Sequence, residues 1–426
     1  MKYAKLIACG LLASAAVPAH ALNINYINLG GAQQGTLARQ GFEIAANYWE
    51  SVLTDNVTVN LAIGFNKLAP GVIAQAGSSS SVVLLNQAFL GLAADQKSAL
   101  DAQAVNSLAG QLVIQGGLAS VNARVNDFKD VANQAGYQDG VTRLDTDRSG
   151  NNIALDVNNA TLKALGIAVD ANGNPINPNG IDAQITFNSD FGYDFNPTNG
   201  IDGFTFDFIG VAIHEIGHAL GFVSGTDIYD IVSYDNGPLA EGVFDGSLLG
   251  GPRNIEDFAV MSTLDLFRYG AAGELNWATG DLGSAYFSID GGQTALFGEA
   301  DFSTGSFNGS GNQASHWADN LYDPRNGAPC SKFKTKPIGI MNPTSGFCES
   351  GSVTGLDLAA FDAMGWDVNL NVLQNSGYEA STASIWRQFI LANPVPEPET
   401  WAMMLLGFGF VGAGMRRVRS TKVSFA

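Results

Sequence analysis

The sequence predicts an α+β fold, and three observations carry that prediction. A strand–helix–strand pattern opens the chain at INYINL, Thr36–Leu53 and VTVNLAIGF. A helical period runs through Phe208–Leu220, which contains His-Glu-x-x-His. A capped helix is expected again near the far end, in VTGLDLAAFDAMGWDV.

Each element has its own signal. INYINL alternates and runs into Gly30 and Gly31, as a half-buried strand does before a turn. Leu37, Gly41, Ile44, Ala45, Tyr48 and Val52 follow a helical period. Val57, Val59, Leu61 and Ile63 alternate again. Serines 78 to 81 read as a loop, and the Ala-, Leu- and Gln-rich stretch from Val82 to Asn133 as mostly helical. Asp182–Ser189 reads as a short strand placed to form one edge of a cleft. Beyond Thr226, IEDFAVMSTLDLFRYG is expected to be helical and SAYFSIDGGQTALFG to be a hairpin around Asp290-Gly291-Gly292. In the last segment, Thr354 and Asp357 have the spacing of a capping box. Gln374 to Pro394 reads as a polar linker.

Composition narrows the class. The 426 residues are 46% hydrophobic and 14% charged with 51 glycines, which describes a globular, loop-rich chain and not a disordered one. A formal charge of −19 argues against nucleic acid or an anionic membrane surface as partner. The first 21 residues combine Lys2 and Lys5, an apolar run and Ala19-His20-Ala21, the layout of a secretory signal peptide. Once Cys9 is removed with that segment, Cys330 and Cys348 remain, an even pair that suggests a disulfide in an exported chain. At the other end, Val395-Pro-Glu-Pro398, an apolar run from Trp401 to Met415 and Arg416, Arg417 and Arg419 follow in order. These three elements resemble the PEP-CTERM sorting signal of Gram-negative bacteria. The resemblance implies processing by an exosortase, membrane contact only through this tail, and a final place in the cell envelope or outside the cell.

The strongest chemical signal is HEIGHALG, from His214 to Gly221. At about 100° per residue, His214 and His218 differ by only about 40° around a helix, so both imidazoles face one way. Ile209, Ala212, Ile216 and Leu220 fall on the other side, where they bury the helix. Asp207 is placed to cap it, and Gly221 to end it. Two histidines at this spacing hold zinc, and Glu215 beside them serves as general base. The third-histidine position of the long zinc-protease signature is occupied by Ser224. His316, in QASHWADN, is the remaining histidine of the processed chain, with Asp227, Asp230 and Glu256 as rival third ligands. A His/His/carboxylate set is also sound zinc chemistry.

HExxHxxG, a distant histidine followed by tryptophan, a methionine in GIMNPTSG and a closing helix resemble the leishmanolysin-type branch of the metzincins. With the tail included, the chain looks like the PEP-CTERM-associated metalloproteases of bacteria. The motif-bearing likeness runs from about Asp182 to Val368. It implies His214, His218 and His316 as zinc ligands, Glu215 as base and Met341 as the floor of the site. It also implies an insertion between Gly221 and the third histidine. The Cys330–Cys348 pair brackets Met341 and would brace that turn.

The expected division is a signal peptide at 1–21, an N-terminal catalytic subdomain at 22–225 and an insertion at 226–311. A C-terminal subdomain with the third ligand and Met-turn follows at 312–372, then a linker at 373–394 and the sorting tail at 395–426. The expected activity is hydrolysis of peptide bonds in a protein or peptide substrate, by a zinc-activated water and Glu215. A catalytically silent surface- or matrix-binding protein on the same scaffold is the alternative, and a peptidoglycan amidase a remoter one. A weaker signal lies in DTDRSGNNIALD, where Asp145, Asp147, Ser149, Gly150 and Asp156 partly match a calcium loop.

Overall fold

The computed structural model describes residues 22–132, 135–233, 255–281, 283–319 and 337–393. The opening elements are β1 (Asn23–Gly30), α1 (Leu37–Val52) and β2 (Thr58–Asn66). Thr36 caps α1 by accepting from the Arg39 amide. β1 and β2 are parallel, so α1 is their crossover helix. β2 pairs in parallel with β10 (Ala183–Asn188), and β10 pairs antiparallel with β3 (Ala74–Ser78). The order β1-β2-β10-β3 leaves β3 at one edge. The histidine-bearing helix α6 (Phe208–Ala219) packs beside α1, where a Cβ on Gly41 would come within 2.3 Å of the Phe208 ring. Phe42 of α1, Phe187 of β10 and Phe208 of α6 meet with ring centroids 4.6 to 5.2 Å apart. This aromatic knot joins sheet and helices over one buried layer.

β4 (Ser80–Leu84) leads into α2 (Leu85–Ala94) and α3 (Ala99–Ala109), followed by the hairpin β5 (Val113–Gln115) and β6 (Leu118–Ser120). A short turn of helix, α4 (Gly150–Ile153), precedes β9 (Ala154–Asn158), which pairs antiparallel with β4 and runs into α5 (Asn159–Ala164). A second sheet joins β7 (Ala123–Asp130) and β8 (Ala135–Asp145) to β13 (Arg268–Ala271), β14 (Glu274–Asn276) and β15 (Tyr286–Phe287). Its order is β15-β13-β14-β7-β8. α7 (Thr226–Ser233) lies against it, with Tyr229 on Tyr137 at 5.7 Å between ring centroids. The described part of the expected insertion is therefore built into a sheet with earlier residues. β11 (Tyr193–Asp194) and β12 (Phe206–Asp207) form a small parallel pair before α6. β16 (Ser352–Thr354) leads into α8 (Gly355–Met364), and β17 (Glu379–Ser381) pairs with β16 before α9 (Thr382–Ala392).

Several expectations are corrected. The strand Asp182–Ser189 is interior as β10, and among the described residues the sheet edge is β3, whose AQAGS alternates with alanine alone as its apolar residue. Ser78 ends β3 and Ser80 and Ser81 begin β4, so the expected loop shrinks to Ser79. The stretch from Val82 onward finishes β4, is helical only within Leu85–Ala109 and then turns to strands. Residues 255–267 make two short 3-10 turns at Ile255–Asp257 and Leu264–Phe267 instead of a helix. The cause is Asp265, which accepts from the Ser262 and Gly225 amides and from the Ser224 hydroxyl and so bends the segment around itself. Tyr286–Phe287 pairs with β13 on one side, and on the other Tyr286 bridges antiparallel to Asp301, so the chain does return after Gly292 but beyond the expected segment. The expected linker contains β17 and α9, and Ser381 caps the latter.

The backbone around Gly225 is close enough to test. A Cβ there would sit 2.1 Å from the Val260 carbonyl oxygen and 2.8 Å from Met261 Cα. Because a backbone must move to admit it, Gly225→Ala lowers stability by about 2–3 kcal/mol. A fall in the urea midpoint at constant slope is the expected reading.

Candidate metal centre

Asp207 accepts from the amides of Ile209 and Gly210 and so caps α6 as the sequence indicates. Ile209, Ala212, Ile216 and Leu220 are fully buried, which fixes the rotation of the helix. Gly221 follows with φ +116° and lets the chain turn sharply. His316 comes up from the far side of the chain to meet the other two. His218 Nε2 lies 3.0 Å from His214 Nε2 and 3.1 Å from His316 Nε2.

The outer nitrogens show what the inner ones are for. His214 Nδ1 lies 2.8 Å from the Ile340 carbonyl, His218 Nδ1 2.7 Å from that of Phe222, and His316 Nδ1 3.2 Å from that of Gln313. A carbonyl only accepts, so each Nδ1 carries the proton and each Nε2 turns a lone pair inward. Burial lowers the pKa of all three rings; His316 falls well below the usual histidine range, and burial and then His214 push His218 down to about 3. Three neutral imidazoles with converging lone pairs repel one another unless a cation stands between them. A tetrahedral zinc with bonds of about 2.0–2.1 Å separates its ligand nitrogens by about 3.3 Å, close to the spacing here. The residues fit zinc.

Glu215 is 5% exposed and its Oε2 makes no hydrogen bond within the protein. Burial alone pushes its carboxyl up to about 8. A buried carboxylate without a donor is costly to keep. Beside three converging imidazoles, it is placed to exchange a proton.

The rival ligands have other work. Asp227 accepts from the amides of Ala314 and Ser315 and from the Ser315 hydroxyl, immediately before His316. Asp230 accepts from the amides of Phe307 and Asn308 in the loop leading there. Glu256 lies with Asp145 and Asp147, and its carboxylate pairs with Arg143. The two aspartates of α7 thus shape the loop that delivers the third histidine; sequence spacing offered no sign of this role. Asp227→Asn is expected to weaken zinc affinity about 10–100-fold without unfolding the chain, as loss of such supporting bonds does. Competition against a zinc chelator would read it.

Below the histidines, Met341 is fully buried, and a Cβ on Gly217 would lie 2.5 Å from its sulfur. Asp357 accepts from the amides of Ile340 and Met341 and from the Trp317 indole. One buried carboxylate therefore ties the residue after His316 to the methionine turn. It belongs to the Thr354–Asp357 capping box of α8, which forms as expected. Cys330 lies outside the described residues, and with it the expected disulfide.

A cleft of about 630 Å³ opens over the site. Gly71 to Ala76, running into β3, line one wall; Pro337, Gly339, Ile340 and Asn342 to Ser345 line the other. His214, Glu215, His218 and His316 all reach it. The partial calcium motif is arranged differently from a single loop. Asp145 and Asp147 gather with Glu256, whereas Asp156 lies on β9 and its carboxylate accepts from Ser80.

Residues 394–419 match the family model of the PEP-CTERM protein-sorting motif. The chain ends in a sorting signal. It is an exported protein of the cell envelope or extracellular space of a Gram-negative bacterium, and its PEP-CTERM tail is of the kind an exosortase recognises. That tail and the N-terminal 21 residues lie outside the described part. Among the described residues no helix is long and apolar enough to cross a membrane. No curated protein and no solved structure matches the chain.

Proposed function

We propose that the chain is an exported zinc-dependent endopeptidase of metzincin-like build. The observation that carries this reading is the convergence of three Nε2 lone pairs beside the unpaired, buried Oε2 of Glu215. His214, His218 and His316 would hold the metal. When bound, zinc supplies Lewis-acid polarisation of the scissile carbonyl and lowers the pKa of water. Glu215 accepts the proton of the attacking water and passes it to the departing amine. Burial of its carboxyl suits it to both halves of that transfer, because the protonated form is not strongly disfavoured there. Among the described residues β3 pairs on one side only, with β10, and its Ala74, Gln75 and Ala76 line the cleft. An extended peptide is bound there by main-chain hydrogen bonds, which hold any sequence and leave selection to side-chain pockets.

The test is cleavage of a mixed peptide library by the zinc-loaded full chain, with Glu215→Ala alongside. Cutting by the native chain and not by the variant supports the endopeptidase. Zinc binding without cutting by either would move the silent surface- or matrix-binding scaffold ahead.

A further inference from the structure

A second group of ionisable side chains stands apart from the histidines, where three chain segments meet. Asp55 follows α1, Asp95 is the C-cap of α2, and Asp367 follows α8. One oxygen from each lies within 4.8 Å of the others. Asp55 and Asp367 are 5% and 4% exposed. Behind them, Ser98 joins two more carboxylates, its amide donating to Asp101 and its hydroxyl to Asp362. Among the described residues these five acids face a single cation, Lys97. Its ammonium pairs with Asp367 Oδ2 and lies 3.8 Å from Asp95. The Lys97 side chain is 65% exposed and so is free to leave.

Local hydrogen bonding accounts for part of this group only. Asp55 accepts from the Asp367 amide, and Asp101 from the amides of Lys97 and Ser98, as loop-capping carboxylates do. Asp367 Oδ1 has no such role. It is fully buried and makes no hydrogen bond, in a carboxylate whose other oxygen takes the Lys97 ammonium. Burial, with repulsion from neighbouring carboxylates, pushes Asp55 up to about 6 and Asp95 up to about 7. Added positive charge is what such a group lacks.

We propose that Asp55, Asp95 and Asp367 bind a calcium ion, with Lys97 swinging out into solvent as the ion enters. Every donor is a carboxylate oxygen, which suits a hard cation and not zinc. Oxygens on opposite sides of calcium, at about 2.3–2.6 Å from it, are about 5 Å apart, so three oxygens within 4.8 Å of one another can share the ion. Magnesium, at about 2.0–2.1 Å, demands stricter octahedral geometry and gives up its waters reluctantly. The bound ion ties the ends of α1, α2 and α8 together. α8 carries Asp357, so the clamp supports the methionine turn from behind. An exported protein meets calcium at concentrations that suit an affinity of about 0.1–1 mM.

The experiment is a calorimetric calcium titration of the full chain at constant zinc, with thermal unfolding and with magnesium for comparison. One site of about 0.1–1 mM, favouring calcium and raising the melting temperature, is expected. Asp367→Asn weakens it at least about tenfold; should that variant not fold, the more exposed Asp95→Asn reads the same loss. Lys97→Met tightens binding, since the competing ammonium is gone. If the lysine is only a structural partner, that variant loses stability and gains no affinity. Asp147→Asn, in the other acidic group, leaves binding unchanged. Absence of calcium binding in both the native chain and Lys97→Met, or its loss in Asp147→Asn instead of Asp367→Asn, overturns the proposal.

Discussion

Glutamine at position 215 leaves the zinc content of the full chain unchanged and lowers peptide hydrolysis about 100- to 10,000-fold, the usual weight of a positioned general base. Glu215→Gln keeps the shape of the side chain and removes its capacity to accept a proton. The three imidazoles do not depend on it, since each is held by a backbone carbonyl through Nδ1. Stability does not fall either. Burial pushes the Glu215 carboxyl up to about 8, so the folded state holds the proton more tightly than the unfolded chain does. Its charged form opposes folding as pH rises through that window, and a neutral side chain removes the penalty. Zinc content, melting temperature and turnover of a library peptide, measured on one preparation, separate the outcomes. Wild-type turnover by the glutamine variant would remove Glu215 from the mechanism.

Asp357→Asn has the largest expected effect on the fold, about 2–4 kcal/mol lost. The carboxylate is fully buried and accepts from Trp317 Nε1 at 2.8 Å, Ile340 N at 2.9 Å and Thr354 N at 2.7 Å, with Met341 N at 3.3 Å. An amide offers one accepting oxygen in place of two and turns its own N–H groups toward donors. The damage travels to the histidines along two short paths. Ile340 supplies the carbonyl that orients His214, and Trp317 follows His316 directly. Zinc affinity is therefore expected to drop about 10–100-fold along with stability. A urea midpoint and a chelator competition test the two halves separately. Unchanged zinc affinity in a destabilised variant would confine Asp357 to folding.

What could be read from the sequence was what local chemistry determines. α1, β2 and α6 announce themselves by period and by the caps Thr36 and Asp207, and Thr354 with Asp357 marks the start of α8. The three histidines expected as ligands come together although 98 positions separate the last two. The edge strand was out of reach because AQAGS becomes a strand only through pairing with β10, over a hundred residues away. The second sheet was hidden for the same reason: β14 finds β7 across the chain in parallel. In residues 255–267 a helix-compatible pattern yields to Asp265, whose carboxylate takes the Ser262 amide that a helix would use and the Gly225 amide of a distant segment. α9 carried a readable signal, Ser381 as cap before Ile385, Trp386 and Phe389. Polar composition around it led to the linker reading.

The end of α9 has a mechanical consequence. Its last residue is Ala392 and the matched sorting motif begins at 394, so a single residue separates the folded body from the tail. A residue spans at most about 3.6 Å, so the matched motif starts close to the end of α9. Thr382, at the other end of α9, donates to Asp207 Oδ2, and Asp207 holds the first turn of the histidine helix. A pull that reaches the C-terminal end of α9 is therefore expected to pass through Thr382 and Asp207 to the first turn of α6. Processing within the matched motif is expected to leave α9 and its bond to Asp207 in place.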